Sequence, residues 1–211
     1  PSYPDNYFDL AIVDPPYGIG DKFKGGKNGS IQHNDIVSKG WDVVPTEDYF
    51  RELFRVSKNQ IIWGGNYFAL PATRCFIVWD KIISEDFSLA MAELAWTSFD
   101  ANAKIVKMLV PKTGKVHPTQ KPAALYRWLV NNYAKQGDRI LDTHVGSASS
   151  LVVYEEMGFE YVGFELDTDY YKESCKRLEA FRAQPKLFTG AEIFEASKQP
   201  IQGSLFIFPD F

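Results

Sequence analysis

Residues 139–165 read RILDTHVGSASSLVVYEEMGFEYVGFE, and this stretch decides the fold class. A short apolar run ends at Asp142, small residues follow at 146–149, and a longer apolar run extends from Leu151 to Met157. A glycine closes that run, and a second short one, Tyr161–Glu165, comes next. These lengths predict a strand, a helix and a second strand. Such a βαβ unit indicates an α/β protein with an open, mostly parallel twisted sheet flanked by helices.

The rest of the chain continues the same alternation. Further apolar runs predict strands at 8–14, 60–63, 75–79 and 93–97, and helical spacing predicts helices at 46–57, 122–134 and 168–181. Residues 17–40 show no periodicity and predict a long loop. No internal repeat is present, and the last residues have low periodicity. We therefore predict one domain over residues 1–195 and a C-terminal tail over 196–211.

The composition excludes several classes of protein. The 211 residues are 45% hydrophobic and 24% charged, which suits one soluble domain with its own core. No apolar run reaches the ~18 residues of a membrane span and no signal peptide is recognisable, so we expect a cytoplasmic protein. The two cysteines and three histidines lack the spacing of metal ligands, so no metal site is expected. Because the chain has a net charge of −4, it would have to bind nucleic acid through a local basic face.

The strand that ends at Asp142 offers a first candidate site. Ligands of open α/β sheets bind at the carboxyl ends of strands, and small residues at 146–149 let a backbone approach a ligand at the start of a helix. The next strand ends in Glu165, 23 residues later (165 − 142), where an acid suits the two hydroxyls of a ribose. The pattern predicts a site for an adenosine-containing cofactor. A helix-capping turn followed by a surface glutamate is the alternative.

A second candidate site follows the first predicted strand, at Asp14-Pro15-Pro16-Tyr17. Two prolines remove two backbone donors and stiffen the chain, so the carbonyls of Asp14 and Pro15 stay free to accept hydrogen bonds. Acceptors beside the flat ring of Tyr17 suit a planar base that carries an amino group. The alternative is a simple turn after an edge strand.

These two motifs, with His117-Pro118-Thr119-Gln120-Lys121-Pro122 between them, resemble the beta group of DNA amino-methyltransferases in sequence and in order. Bacterial and phage enzymes of this group modify adenine N6 or cytosine N4. The resemblance covers roughly residues 5–182. It implies a Rossmann-like methyltransferase fold, S-adenosyl-L-methionine as cofactor and DNA as substrate.

The resemblance also implies roles for the D-P-P-Y residues. Asp14 and the carbonyl of Pro15 would bind the exocyclic amine of a flipped base, Pro16 would stiffen the turn, and Tyr17 would stack on the base. D-P-P-Y is commoner among adenine enzymes, so we predict transfer to adenine N6. Cytosine N4 is the alternative target, and an alternative of another class is a catalytically silent DNA-binding relative.

The resemblance places the cofactor against one loop, one acid and one further motif. The candidate residues are Asp142, Thr143, His144, Val145, Gly146, Ser147, Ala148, Glu165, His117, Thr119 and Lys121. The family's usual loop has Phe at the position of His144 and Gly at the position of Ala148. Relatives also carry another strand before the D-P-P-Y strand, so residues that precede Pro1 are expected or the contact made by that strand is absent.

Two basic segments and the tail suggest partners. Residues 101–122 hold five lysines and no acid, and we predict a short target-recognition insertion near 99–116. The candidate phosphate contacts are Lys22, Lys24, Lys104 and Lys107, unless these lysines form only a solvated face. Gln202–Phe206 resembles the short peptides that dock on the bacterial sliding clamp, although packing on its own domain would explain its hydrophobic residues equally well. A nucleoid-associated role in restriction-modification, phage protection or housekeeping stays open.

Overall fold

The computed structural model describes residues 3–19, 42–84, 90–110, 120–185 and 187–198. Five of the predicted contacts lie outside these residues: Lys22, Lys24, His117, Thr119 and the Gln202–Phe206 peptide. Within the described residues, no helix combines the length and the apolar character that crossing a membrane requires.

In the part of the chain that the structure describes, seven strands form one sheet. They are β1 (Phe8–Val13), β2 (Ser57–Trp63), β3 (Phe76–Asp80), β4 (Ala92–Thr97), β5 (Lys104–Lys107), β6 (Arg139–Asp142) and β7 (Glu160–Gly163). Their order is β5-β3-β4-β2-β1-β6-β7. Strand β4 runs antiparallel to both neighbours, and every other pair is parallel. The predicted open, mostly parallel sheet is confirmed.

Helices cover both faces of this sheet. They are α1 (Glu47–Val56), α2 (Ala123–Tyr133), α3 (Ser149–Glu156), α4 (Thr168–Arg182) and α5 (Gly190–Lys198), with a 3₁₀ turn at Gly65–Tyr67. Phe50 and Leu53 of α1 pack on one face, and the buried residues of α2, α3 and α5 pack on the other. Central strands that are buried on both faces have to be continuously apolar, which explains the sequence of β1.

The predicted insertion near 99–116 is partly built into the sheet. Lys104–Lys107 forms β5, which pairs in parallel with β3, with Val106 buried and Ile105 exposed. These four residues of the predicted insertion are therefore part of the sheet, and their role in target recognition stays a prediction. A strand at the border of a sheet buries only alternate residues on one face, so the flanking lysines hid its pattern. Residues 111–119 lie outside the described chain.

The domain boundary predicted at residue 195 falls inside α5. Phe194 of this helix is fully buried, with its ring centroid 5.0 Å from that of Phe159. The helix can approach the core because Gly158 and Gly190 lie in contact, and a Cβ on Gly190 would fall 2.3 Å from the nitrogen of Gly158. Residues 190–198 are thus part of the domain and not of a tail.

Several chain segments converge at the carboxyl end of the sheet, meaning the side where β1, β2, β6 and β7 end. Because β4 is antiparallel, it brings its first residues, not its last, to this side. Glu93, the second residue of β4, therefore reaches the same end as Asp14 and Asp142. This topology determines which side chains can meet at the candidate site.

Candidate active site

The Asp14 carboxylate stands where the chain leaves β1 through Pro15 and Pro16. The Tyr17 hydroxyl donates a hydrogen bond of 2.7 Å to Oδ1, and the Lys121 ammonium donates to Oδ2 at 2.5 Å. The Asp14 side chain is 21% exposed, so part of it still faces the surface. The structure thus brings together three of the residues predicted from the sequence.

The ring of Tyr17 is enclosed by the turn after β2. Gly64 lies so close that a Cβ at this position would fall 2.2 Å from a ring carbon, and its φ of +68° also favours glycine. The ring of Tyr67 stacks on Tyr17 at a centroid distance of 5.0 Å and an angle of 17°. Burial, reinforced by the Asp14 charge, raises the pKa of Tyr17 well above its ordinary value. The hydroxyl therefore stays protonated and donates to Asp14.

Lys121 is a buried ammonium held between two carboxylates. Its Nζ lies 2.5 Å from Asp14 Oδ2 and 3.0 Å from Glu93 Oε2, and the side chain is 3% exposed. Burial alone would lower the pKa of Lys121, but the two carboxylates raise it, so the amine stays charged. The family resemblance assigned Lys121 to the cofactor site. In this structure its ammonium group contacts the Asp14 carboxylate.

Sequence reasoning missed Glu93 and its second partner, Lys81. The Nζ of Lys81 lies 2.6 Å from Glu93 Oε1. Burial acts to raise the pKa of Glu93, but the ammonium groups of Lys121 and Lys81 outweigh it and hold that pKa well below its usual range. The available signal was an acid at the start of the predicted strand 93–97, but only the antiparallel direction of β4 gives it meaning.

The second acid, Asp142, is 2% exposed and has neutral partners. Its Oδ1 accepts the backbone N–H of His144 at 2.9 Å, and its Oδ2 accepts the Ser150 hydroxyl at 2.6 Å. Burial raises the pKa of Asp142 to about 6, against the opposing effect of these two hydrogen bonds. Asp142 thus anchors both ends of the loop that leads into α3.

Residues from other elements hold the loop 143–148 from outside. The Tyr49 hydroxyl of α1 hydrogen-bonds the Thr143 hydroxyl at 2.7 Å. From α4, Ser174 donates to the Gly146 carbonyl and Arg177 to the Ser147 carbonyl, each at 2.7 Å. These contacts fix the backbone of the loop at the start of α3.

Two loop positions differ from the family's usual residues. Ala148 adopts a left-handed backbone with φ of 58°, which glycine would adopt without strain, and it is fully buried. The Nδ1 of His144 lies 3.0 Å from the Thr143 hydroxyl. Burial lowers the pKa of His144 to about 4 although Asp14 and Glu165 act to raise it, so the ring is neutral at pH 7. The loop therefore tolerates both residues.

Glu165 ties the loop to the strand that follows it. Its Oε2 accepts the N–H of Gly146 at 2.8 Å, and its Oε1 accepts the N–H of Asp167 at 2.9 Å. A Cβ on Gly146, whose φ is +53°, would meet no atom within 4 Å, so open space lies beside the loop. Open space, a helix N-terminus and a carboxylate with free lone pairs fit an adenosine-containing cofactor.

The two described lysines of the predicted DNA contacts lie at opposite ends of β5. Lys107 is at the carboxyl end of the sheet, with its Nζ 4.0 Å from Asp80. Lys104 is at the amino end, where its Nζ donates to Asn132 at 2.7 Å and lies 5.2 Å from the ring centroid of Tyr133. Of these two lysines, only Lys107 lies at the same end of the sheet as Asp14.

Residues 62–176 match the DNA methylase family N6_N4_Mtase. Among curated proteins, a segment of 71 residues is 41% identical to the Type II methyltransferase M2.DpnII of Streptococcus pneumoniae, and it covers 34% of this chain and 26% of that protein. A segment of 69 residues is 33% identical to the Type II methyltransferase M.HpaI of Haemophilus parainfluenzae, covering 33% and 22% of the two chains. The matched segments thus span about a quarter of the length of these relatives.

Solved structures share the fold. The PvuII DNA methyltransferase (cytosine-N4-specific) superposes with a TM-score of 0.55 at 12% identity, covering 93% of this chain and 86% of that one. The M1.HpyAVI–SAM complex gives 0.50 at 20% identity, with coverage of 82% and 90%. TTHA0409 of Thermus thermophilus, a putative DNA modification methylase complexed with S-adenosyl-L-methionine, gives 0.52 at 15%, with coverage of 87% and 92%. The expected Rossmann-like methyltransferase fold is confirmed.

Proposed function

This chain belongs to the DNA methylase family N6_N4_Mtase, and we propose that it transfers a methyl group from S-adenosyl-L-methionine to N6 of a flipped adenine in DNA. One observation carries the proposal. Asp14 directly follows β1, which lies beside β6, so an acceptor for an amine lies next to the loop at Asp142. Neighbouring strands are only ~4.8 Å apart, which suits direct transfer between two bound molecules.

Asp14 and Pro15 would recognise the target amine. The lone pair of an exocyclic amine is delocalised into its ring, which makes the nitrogen a poor nucleophile. Hydrogen bonds from its N–H groups to the Asp14 carboxylate and the Pro15 carbonyl favour a pyramidal nitrogen with a localised lone pair. A carboxylate has about four lone-pair sites, so Asp14 can accept an amine while it holds Tyr17 and Lys121. Pro16 keeps the turn stiff.

The loop 143–148 and Glu165 would hold the cofactor, with Asp142 fixing the loop from beneath. When bound, S-adenosyl-L-methionine supplies a methyl group on a positively charged sulfur, which is a good leaving group. Free N–H groups at the start of α3 suit its carboxylate, and Glu165 suits its ribose hydroxyls. Lys121 contacts Asp14 and Glu93, and we assign it to the side of the amine.

The target base is the finer part of the proposal. Adenine N6 and cytosine N4 are both exocyclic amines, and the Asp14 arrangement suits either. D-P-P-Y favours adenine through the family resemblance. The test is to incubate the 211-residue chain with S-adenosyl-L-methionine and unmethylated DNA, digest the DNA and weigh its nucleosides. N6-methyladenine supports the proposal, whereas N4-methylcytosine would keep the reaction and correct the target.

A matched variant makes this test specific. Asp14→Asn keeps the shape of the side chain and should give no product, which excludes a contaminating methyltransferase. If the unchanged chain binds S-adenosyl-L-methionine in calorimetry and yet methylates no DNA, the proposal is wrong. That outcome would favour the alternative of a catalytically silent DNA-binding relative.

The remaining partner assignments stay predictions. Lys107 lies at the carboxyl end of the sheet, which supports its assignment as a DNA contact, whereas Lys104 is hydrogen-bonded to Asn132 at the amino end. Lys22, Lys24 and the sliding-clamp peptide Gln202–Phe206 lie outside the described residues. The cytoplasmic, nucleoid-associated location and the role in restriction-modification or phage protection also stay predictions.

A further inference from the structure

Four side chains form a row of alternating charge behind the D-P-P-Y turn. Lys81 pairs with Glu93 at 2.6 Å, Glu93 with Lys121 at 3.0 Å, and Lys121 with Asp14 at 2.5 Å. The side chains are 15%, 23%, 3% and 21% exposed in that order. The formal charges of the row cancel. We refer to these four residues as the charge row.

The charge row is assembled from four separate segments of the chain. Lys81 follows β3, Glu93 is the second residue of β4, Lys121 precedes α2, and Asp14 follows β1. Removing charges from water is costly, and a well-packed apolar cluster is often as stable as a buried ion pair. Stability alone therefore gives little reason for such a row beside a reactive carboxylate. A role in setting the state of Asp14 is the stronger explanation.

We propose that Glu93 is a positioning residue for the methyl transfer, acting through Lys121 on Asp14. The proposal rests on the function proposed above. Glu93 holds the Lys121 ammonium in place, so that Asp14 keeps one orientation with its free lone pairs directed to the target amine. Tyr17 fixes the other oxygen of the same carboxylate at 2.7 Å.

The charge of Glu93 contributes as well as its position. As the new N–C bond forms, positive charge develops on the accepting nitrogen, and a preorganised negative charge beside it lowers the barrier. The methylated nitrogen then releases one of its protons to solvent and becomes neutral. Lys121 alone would offset the charge of Asp14. Glu93 supplies a second negative charge to Lys121, and this leaves Asp14 more effective toward the nitrogen. Without Glu93, the ammonium would compete with the amine for the same carboxylate.

A double-mutant cycle tests whether Glu93 acts through Lys121. The proteins are the unchanged chain, Glu93→Gln, Lys121→Met and the double variant, compared by single-turnover rates at saturating cofactor and DNA. We expect Glu93→Gln to slow transfer about tenfold in the unchanged chain and less than about twofold in the Lys121→Met background. The Kd for S-adenosyl-L-methionine should change less than about twofold. A role of Glu93 that does not pass through Lys121 would lower the rate equally in both backgrounds.

Glu156→Gln is the matched control. Glu156 is 22% exposed, close to the 23% of Glu93, and it pairs with Arg127 at 2.8 Å, so its loss removes an ion pair of an equally exposed carboxylate from another part of the fold. We expect it to leave the rate unchanged. If Glu93→Gln does not fold, Glu93→Asp replaces it in the test. This variant keeps the carboxylate charge but moves it away from Lys121 by the length of one methylene group. That variant should slow transfer about threefold, and again only while Lys121 is present.

The outcomes separate the inference from the function on which it rests. An active unchanged chain with an equally active Glu93→Gln variant overturns the inference and leaves the function standing. Equal losses in the two backgrounds also overturn it. An unchanged chain that binds cofactor but transfers nothing overturns the proposed function, and the inference with it.

Discussion

Asp14 directly follows β1 and Asp142 ends the neighbouring parallel strand β6, yet the surroundings of the two carboxylates differ in kind. Asp14 accepts from a buried ammonium and a phenol, whereas Asp142 accepts from a backbone N–H and a serine hydroxyl. The Asp14 side chain is 21% exposed, and Asp142 is 2% exposed. One carboxylate has a countercharge and a free side, and the other has neither.

This difference explains how two aspartates at the same end of a sheet can have different functions. A carboxylate with a fixed countercharge and free lone pairs is suited to bind an amine. A fully enclosed carboxylate with neutral donors loses solvation, so its pKa rises, to about 6 for Asp142. Asp142 has little surface left for a ligand, and we infer that it serves the cofactor through the backbone of its loop.

The largest effect expected from this comparison is that of Asp14→Asn. The change removes the charge on which the developing positive nitrogen depends, so single-turnover methyl transfer should fall by at least ~100-fold. The Kd for S-adenosyl-L-methionine, measured by calorimetry, should stay within about twofold because the loop at 143–148 is untouched. Turnover within about tenfold of the unchanged chain would show that Asp14 is not the amine acceptor.

The sequence predicted both acids because each depends only on local pattern. An apolar run that stops at an acid and then meets prolines or small residues identifies a strand end wherever it occurs. Each acid was predicted at a strand end, and parallel strands end on the same side of a sheet, whereas the family resemblance joined Asp14 and Asp142 in one site. The loop at Gly146 and the turn after Pro16 were found in the same way.

The charge row and two elements of the fold could not be predicted in this way. Glu93 reaches Asp14 only because β4 runs antiparallel, and strand direction is a property of the whole sheet. Strand β5 buries one alternate residue, Val106, among lysines. Helix α5 packs against the core only where Gly190 meets Gly158. Each depends on a tertiary contact that leaves no periodic signal in the sequence.

Asp142→Asn sharpens the comparison through its pH dependence. The fold raises the pKa of Asp142 from 3.8 to about 6, so the ionised form is penalised in the folded state. The contribution of the Asp142 side chain to the free energy of unfolding is therefore full below about pH 4 and is lost as the pH rises through about 6. Asparagine keeps an acceptor for His144 and gains a donor for Ser150. Relative to the unchanged chain, this variant should therefore gain about 2 kcal/mol in unfolding free energy between about pH 4 and pH 7.

Urea unfolding of both proteins at these two pH values checks this expectation. Groups that titrate in both proteins, His144 among them, cancel in the difference between variant and unchanged chain. A difference that is the same at both pH values would mean that Asp142 is not penalised by burial. The contrast with Asp14 would then rest on exposure alone.

The two lysines of β5 allow a second comparison, between the carboxyl end and the amino end of the sheet. DNA that presents a base to Asp14 must approach the carboxyl end, where Lys107 lies, and not the amino end, where Lys104 lies. Lys107→Glu should weaken DNA binding about fivefold at moderate salt and reduce the slope of log K against log salt by about one. Fluorescence anisotropy over a salt series measures both. Lys104→Glu is the matched control, and an equal loss there would contradict the placement of DNA.

The smallest effect is expected from His144→Phe, which restores the residue usual in the family at the loop of Asp142. His144 is neutral at pH 7 because burial lowers its pKa to about 4, so the change removes no charge there. It loses the bond to Thr143 at 3.0 Å, and a phenyl ring can keep the edge contact with Tyr49, now at a centroid distance of 5.5 Å. Transfer rate and cofactor Kd near pH 7 should therefore change less than about twofold.

The difference in unfolding free energy between His144→Phe and the unchanged chain should appear at low pH. Its pH dependence is opposite in sign to that expected for Asp142. A histidine whose pKa is depressed contributes stability that is full above about pH 6.5 and is lost as the pH falls through about 4. His144→Phe lacks this loss, so urea unfolding should show the variant gaining on the unchanged chain as the pH is lowered. A tenfold fall in rate near pH 7 would contradict this account, because it would place the ring nitrogen in the reaction. The loop of Asp142 would then do chemistry that the comparison assigns to Asp14.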